Sequence, residues 1–174
     1  GGSWGTAVVD GNSVTISGGQ VGDGLGSNSN GWVIGGRGNS GASNNTVTIS
    51  GTAVVNKIDA GESTNGPVTG NKLFITGGDI MGAVARAGWS STGLVSGNEA
   101  YMSGGVIHDV PSDFVTGHLT GGLSLSGNAE NNSATITGGS VFSITGGQTN
   151  GGDATDNRVT VSGNAQVGFV EGGR

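Results

Sequence analysis

The sequence predicts an all-β fold, a single-chain right-handed parallel β-helix (a β-solenoid) of about six rungs with three short strands per rung. Three observations carry this expectation. Forty glycines stand beside only two prolines in 174 residues, with no G-X-Y period, which excludes collagen. Short apolar runs recur at regular intervals among the Gly, Ser, Asn and Thr, which argues against scattered disorder. No segment shows the 3.6-residue period of an amphipathic helix, whereas alternation over three to five residues is frequent. Internal repetition therefore decides the fold class.

The first strand of each unit is marked by the pattern Asn-x-(Val/Leu/Ala)-x-(Ile/Val/Met)-(Ser/Thr)-Gly. It occurs as Asn12-Ser-Val-Thr-Ile-Ser-Gly18, Asn45-Thr-Val-Thr-Ile-Ser-Gly51, Asn71-Lys-Leu-Phe-Ile-Thr-Gly77, Asn98-Glu-Ala-Tyr-Met-Ser-Gly104, Asn132-Ser-Ala-Thr-Ile-Thr-Gly138 and Asn157-Arg-Val-Thr-Val-Ser-Gly163. In such a run Val14 and Ile16 face one side and Thr15 the other. Strands this short do not stand alone. Coiling the chain stacks them in parallel about 4.8 Å apart. Val14, Val47, Leu73, Ala100, Ala134 and Val159 then form one inward column, and Ile16, Ile49, Ile75, Met102, Ile136 and Val161 the next. The recurrent Asn suits either a left-handed corner or a stacked amide ladder along the axis.

The second strand is marked by an apolar residue at Val21, Val54, Ile80, Ile107 and Val141. The third is marked by a closing signature: Val33-Ile-Gly-Gly36, Ile58-Asp-Ala-Gly61, Val84-Ala-Arg-Ala87, Leu119-Thr-Gly-Gly122, Ile144-Thr-Gly-Gly147 and Val170-Glu-Gly-Gly173. The variation in unit length sits between these two strands. Val54 to Ile58 and Ile80 to Val84 are four steps, whereas Val21 to Val33 and Ile107 to Leu119 are twelve. Longer corner loops are thus expected at 22–32 and 108–118, leaving the rod at one edge, where solenoids vary their binding surface. The coil hand follows the chirality preference of parallel crossovers.

Net charge is −6 and the six basic residues are dispersed along the chain, so no basic patch for a phosphate backbone is expected and nucleic acid is excluded as a partner. No apolar run reaches the roughly 20 residues that span a bilayer, so no direct membrane insertion of this segment is expected. Cysteine is absent, which removes disulfide and thiolate chemistry and permits export. Gly1-Gly2 and Gly172-Gly173-Arg174 share one phase of the repeat without a polar cap. Residues 1–174 are therefore expected to be a segment of a longer solenoid, open to end-to-end or self-association.

The recurring Asn-x-Val-Thr-Ile-Ser-Gly-Gly units closed by Val-x-Gly-Gly resemble the repeats in the passenger regions of bacterial autotransporter adhesins, over essentially the whole chain. The resemblance implies a right-handed parallel β-helix displayed on the surface of a Gram-negative bacterium, anchored in the outer membrane through a C-terminal β-barrel outside this chain. It implies adhesion to a host or bacterial surface protein or glycan, without cofactor or catalysis. Two other classes compete: a carbohydrate-active β-helix enzyme or binding module, and a purely structural spacer.

Enzymatic sites on such a scaffold need clustered carboxylates. Here Asp153 and Asp156 share one turn and Asp109 and Asp113 one loop, where solvated turn carboxylates are the plain reading. No catalytic residue is assigned. The loop from His108 to His118 holds both histidines, Asp109, Asp113 and Phe114. Histidines ten residues apart are not a metal-ligand spacing, so no metal is expected and the loop is read as a ligand-binding element. Phe74 and Tyr101 fall at the outward position of adjacent first strands. They either stack on each other over the backbone or offer an aromatic platform to a sugar ring. Trp32 closes the first insertion. The ligand-binding candidates are therefore Phe74, Tyr101, Trp32, His108, Asp109, Asp113, Phe114 and His118. Arg37, Glu62, Gln148 and Arg174 share one position after the closing signature and read as a surface charge row.

Overall fold

The computed structural model describes residues 6–23, 30–110 and 116–174. It is all-β and solenoid-like: among the described residues there is no helix, and every strand pairing is parallel. The first-strand pattern forms β2 (Ser13–Ile16), β6 (Thr46–Ile49), the start of β9 (Lys72–Ser90), the start of β11 (Glu99–Ile107), β14 (Ser133–Ile136) and β17 (Arg158–Val161). Their register joins Val14, Val47, Leu73, Ala100, Ala134 and Val159, and likewise Ile16, Ile49, Ile75, Met102, Ile136 and Val161. Both expected columns are present. Ile49, Ile75 and Ile136 are fully buried, and each such side chain contributes about 2 kcal/mol by leaving water.

The second column contains Val55 where the sequence suggested Val54. Gln20 and Val21 pair with Val54 and Val55, and Val55 pairs with Ile80. Val55 is buried and Val54 is partly exposed. The third strand also departs by one residue. It comprises β4 (Trp32–Gly38), the end of β7 (Val54–Ser63), the end of β9, β12 (His118–Ser124), the end of β15 (Ser140–Thr149) and β18 (Gln166–Gly173). Ile58 and Leu119 both pair with Ala85, not with Val84. A register shift after Val55 accommodates the extra chain, and Ala83 sits at φ 61° within it. The corrected signature, Ala85-Arg-Ala-Gly88, has glycine last like the other five.

A fourth segment lies outside the three that the sequence marked. β1 (Val9–Asp10), β5 (Ala42–Ser43), β8 (Val68–Thr69), β10 (Val95–Ser96), β13 (Ala129–Glu130) and β16 (Ala154–Thr155) form a separate six-stranded sheet. Ala42, Val68 and Val95 make a second buried cluster there. Each of these two-residue strands is followed by a residue at positive φ: Gly11, Asn44, Gly70, Gly97, Asn131 and Asp156. Gly, Asn and Asp are the types that tolerate this conformation. The left-handed corner therefore belongs to the residue before the recurrent Asn.

The Asn itself builds the amide ladder. Asn12 donates through its backbone N and its Nδ2 to Oδ1 of Asn45, at 3.0 and 2.9 Å. The same pair of bonds runs from Asn45 to Asn71, Asn71 to Asn98, Asn98 to Asn132 and Asn132 to Asn157. The second Nδ2 hydrogen donates to a carbonyl of the fourth segment, Ala42 for Asn71 and Val68 for Asn98. Two donors and two acceptor sites exhaust a side-chain amide, so these fully buried groups carry little desolvation penalty. Room for the ladder comes from glycine. A Cβ on Gly88 would lie 2.7 Å from Asn98 Cγ, and Gly36, Gly61, Gly122 and Gly147 face Asn45, Asn71, Asn132 and Asn157 in the same way.

Candidate functional site

The outward side of the third strands is where the repeats stop resembling one another. Successive strands place Trp32 beside Lys57 and Val84, Ile34 beside Asp59 and Arg86, and Arg37 beside Glu62 and Trp89. Arg86 grips Asp59 with two bonds, Nε to Oδ1 at 2.6 Å and a terminal nitrogen to Oδ2 at 2.9 Å. Asp59 is 1% exposed although it lies on the outward side. Such a forked, charge-assisted pair offsets the cost of burying the carboxylate. Arg37 pairs with Glu62 at 2.8 Å.

The two indoles frame these charges. Lys57 Nζ stands 4.4 Å from the ring centroid of Trp32, and the Arg37 guanidinium 5.5 Å from the same centroid. The Arg86 guanidinium lies 5.7 Å from the centroid of Trp89. Trp32, Lys57, Glu62, Arg86 and Trp89 line a cleft of about 100 Å³. Burial, and then the neighbouring Arg86, hold the Lys57 ammonium below the ordinary lysine range. The basic residues that look dispersed in the sequence are thus partly gathered. Three of the six, Arg37, Lys57 and Arg86, converge here because coiling brings residues 20 to 30 positions apart into contact.

The residues marked from sequence do not form one site. Phe74 and Tyr101 are register partners on the first strands, with centroids 6.4 Å apart and planes inclined at 58°. They meet tilted, an edge-to-face preference of aromatic pairs, and not as a flat stacked platform. The Tyr101 hydroxyl shares a 3.2 Å hydrogen bond with Thr137 Oγ1. Trp32 belongs to the cleft on the third strands, where it is 41% exposed.

His108 and His118 stand at the two ends of the second insertion with different partners. His108 Nε2 is 3.1 Å from Asp79 Oδ1, whereas His118 Nε2 is 3.0 Å from Thr116 Oγ1. His118 lies between Val84 and Ser143 on the third strands. Burial, and then Arg174, push its pKa down. Asp109 is engaged in closing the loop, accepting from the Gly117 amide at 2.6 Å. A wider depression of about 470 Å³ runs past His108 and Asp109 along Ser140, Phe142 and Gln166. Asp113 and Phe114 lie outside the described residues. Among the described residues no three His, Asp or Glu side chains converge as metal ligands would.

Lys57, Asp59, Arg86 and Trp89 were not marked from sequence as a group, though a signal for them exists. Aligning the final glycine of the closing signature sets Asp59 opposite Arg86 and Glu62 beside Trp89, whereas aligning Val84 with Ile58 separates both pairs. Comparisons with protein-family models, with curated proteins and with solved structures return no match for this chain.

Proposed function

We propose that the chain is a right-handed parallel β-helix of about six rungs that serves as an adhesive stalk segment of an autotransporter-type surface protein. It presents outward side chains and two insertions to a host or bacterial surface protein or glycan, outside a Gram-negative cell, and performs no turnover. The observation that carries the reading is the division between an interior repeated at every turn and outward third-strand positions, such as Trp32, Lys57, Val84 and His118, that change from one turn to the next. A ladder of satisfied amides and aliphatic columns makes a stiff support, and selection is then free to vary what faces outward. The repeat resemblance points the same way, and parallel crossovers favour the right-handed coil.

The carboxylates nearest the cleft also favour binding over catalysis. Asp59 is locked by Arg86 and Glu62 by Arg37. A general acid or base must reach a reacting group, and both carboxylates are already occupied by guanidinium groups of the protein. The test is attachment. Beads coated with the chain should adhere to epithelial cells, bacteria or immobilised glycans above albumin-coated beads. Replacing the outward cleft residues and both insertions should reduce that attachment. Equal attachment of the wild-type chain and albumin would reduce the protein to a spacer. Release of reducing ends from a polysaccharide would make it an enzyme.

A further inference from the structure

The cleft on the third strands holds cationic donors that the protein itself does not use. Lys57 Nζ rests over the Trp32 ring at 4.4 Å, and among the described residues it has neither a hydrogen bond nor an ion pair, although its neighbours Asp59 and Glu62 are carboxylates. Those two are already engaged by Arg86 and Arg37. Arg37 Nε is buried without a partner. A half-buried ammonium beside a second cation, with the nearby carboxylates already engaged, is unfavourable until a further anion joins it, in keeping with its lowered pKa. Beside it, Trp89 offers an indole, and flat aromatic faces bordered by polar groups suit the apolar face of a pyranose ring. The excess of positive charge, three cations against two carboxylates, sits on a chain of net charge −6. It is therefore a local feature.

We propose that the cleft between Trp32 and Trp89 binds an anionic sugar residue, with its charged group at Lys57 and its ring against the indole of Trp89. A space of about 100 Å³ admits a carboxylate or sulfate but not a whole ring, which must lie across the rim. The inference rests on the adhesive reading and names its ligand class. The soluble-sugar titration below reads the cleft alone, so its failure is distinguishable from a failure of surface attachment.

The experiment follows the indole Nε1–H resonances of the intact chain while methyl β-glucuronide, N-acetylneuraminate, glucose 6-sulfate or uncharged methyl β-glucoside is added. The concentration limit is about 50 mM, well above the millimolar Kd reasonable for one sugar ring. The expected result is saturable movement of the Trp32 and Trp89 signals with an anionic sugar, at least tenfold tighter than with the glucoside. Whichever anionic sugar binds tightest identifies the group, carboxylate or sulfate. Lys57→Met should abolish the preference for charge while leaving the circular dichroism unchanged. Trp89→Ala should weaken all sugars alike. Equal affinity for glucuronide and glucoside, movement only of the signal of the third tryptophan of the sequence, Trp4, no movement at all, or a preference that survives Lys57→Met would each overturn the proposal.

Discussion

The asparagine ladder and the outward cleft lie on the same coils yet are built by opposite rules. Along the ladder, each position repeats: Asn45, Asn71, Asn98 and Asn132 have the same partners one coil on, and all are fully buried. In the cleft, each position occurs once. Trp32, Lys57 and Val84 are register neighbours with nothing in common. The difference teaches that an in-register parallel stack forces like residues together inside, where a mismatch leaves polar groups unpaired. Outside, solvent tolerates any neighbour. Singularity is therefore free to appear on the outer face, where the proposed binding site lies.

The comparison breaks most sharply at the ladder. Asn71→Ala strips the acceptor from two buried N–H groups of Asn45 and should cost about 3 kcal/mol or more. Asn65→Ala, which removes an exposed amide bond to Asn39, should cost under about 0.5 kcal/mol. Urea denaturation of both variants checks the contrast. Similar midpoints would mean that the ladder does not support the fold.

Next in size is the buried pair of the outer face. Arg86→Ala leaves the enclosed Asp59 carboxyl without its ion-pair partner, and should destabilise by about 3 kcal/mol. The double replacement Asp59→Leu with Arg86→Met should recover most of that loss. A double variant as unstable as the single one would show that the pair holds the strands together and does not merely neutralise itself. Smaller effects separate two kinds of glycine. Gly88→Ala drives a methyl into Asn98 and should cost about 1–3 kcal/mol. Gly97, at φ 64° with open space around it, should accept Asn within about 1 kcal/mol, since Asn44 and Asn131 occupy the equivalent corner. Thermal unfolding of the two variants reads the difference.

The smallest expected effect is that of pH. The folded His118 imidazole titrates below its ordinary value, so the unfolded chain binds a proton that the fold resists. The stability associated with His118 is complete above about pH 6.5 and declines as pH falls below it. Arg174 opposes protonation and Asp109 and Glu171 favour it, so the net effect is modest. The Tm should drop slightly between about pH 7.5 and 5.5, and His118→Asn should flatten that drop. An equal slope in the variant would assign the effect to other groups.

Legibility from sequence follows the same division. The first-strand columns were readable because Asn, two alternating aliphatics and a glycine repeat with little variation. The ladder was foreseen as one of two options, and the structure assigns the left-handed corner to the residue before it. The fourth segment escaped because a two-residue strand has no alternation to detect. Its trace lies just upstream of the Asn, where Val or Ala, any residue, and then Gly, Asn or Asp recur, as in Val68-Thr-Gly70 and Ala129-Glu-Asn131. Within the cleft, Trp32 alone was marked as a ligand-binding residue, and Arg37 and Glu62 only as members of a surface charge row. The remainder depends on which residues pair between coils, and a slip of one position at Val84 was enough to hide Asp59 from Arg86. Apolar type alone cannot fix that register when Val and Ala are adjacent. Steric demand for Gly88 beneath Asn98 can.

Hydrogen exchange at the side-chain amides of the asparagines tests the stacked architecture most directly. Asn45, Asn71, Asn98 and Asn132 should keep their Nδ2 hydrogens in D₂O long after those of the exposed Asn65 and the partly exposed Asn39 have exchanged, as expected where opening requires separating neighbouring coils. Exchange of all six at the same rate would contradict the ladder and, with it, the in-register stack.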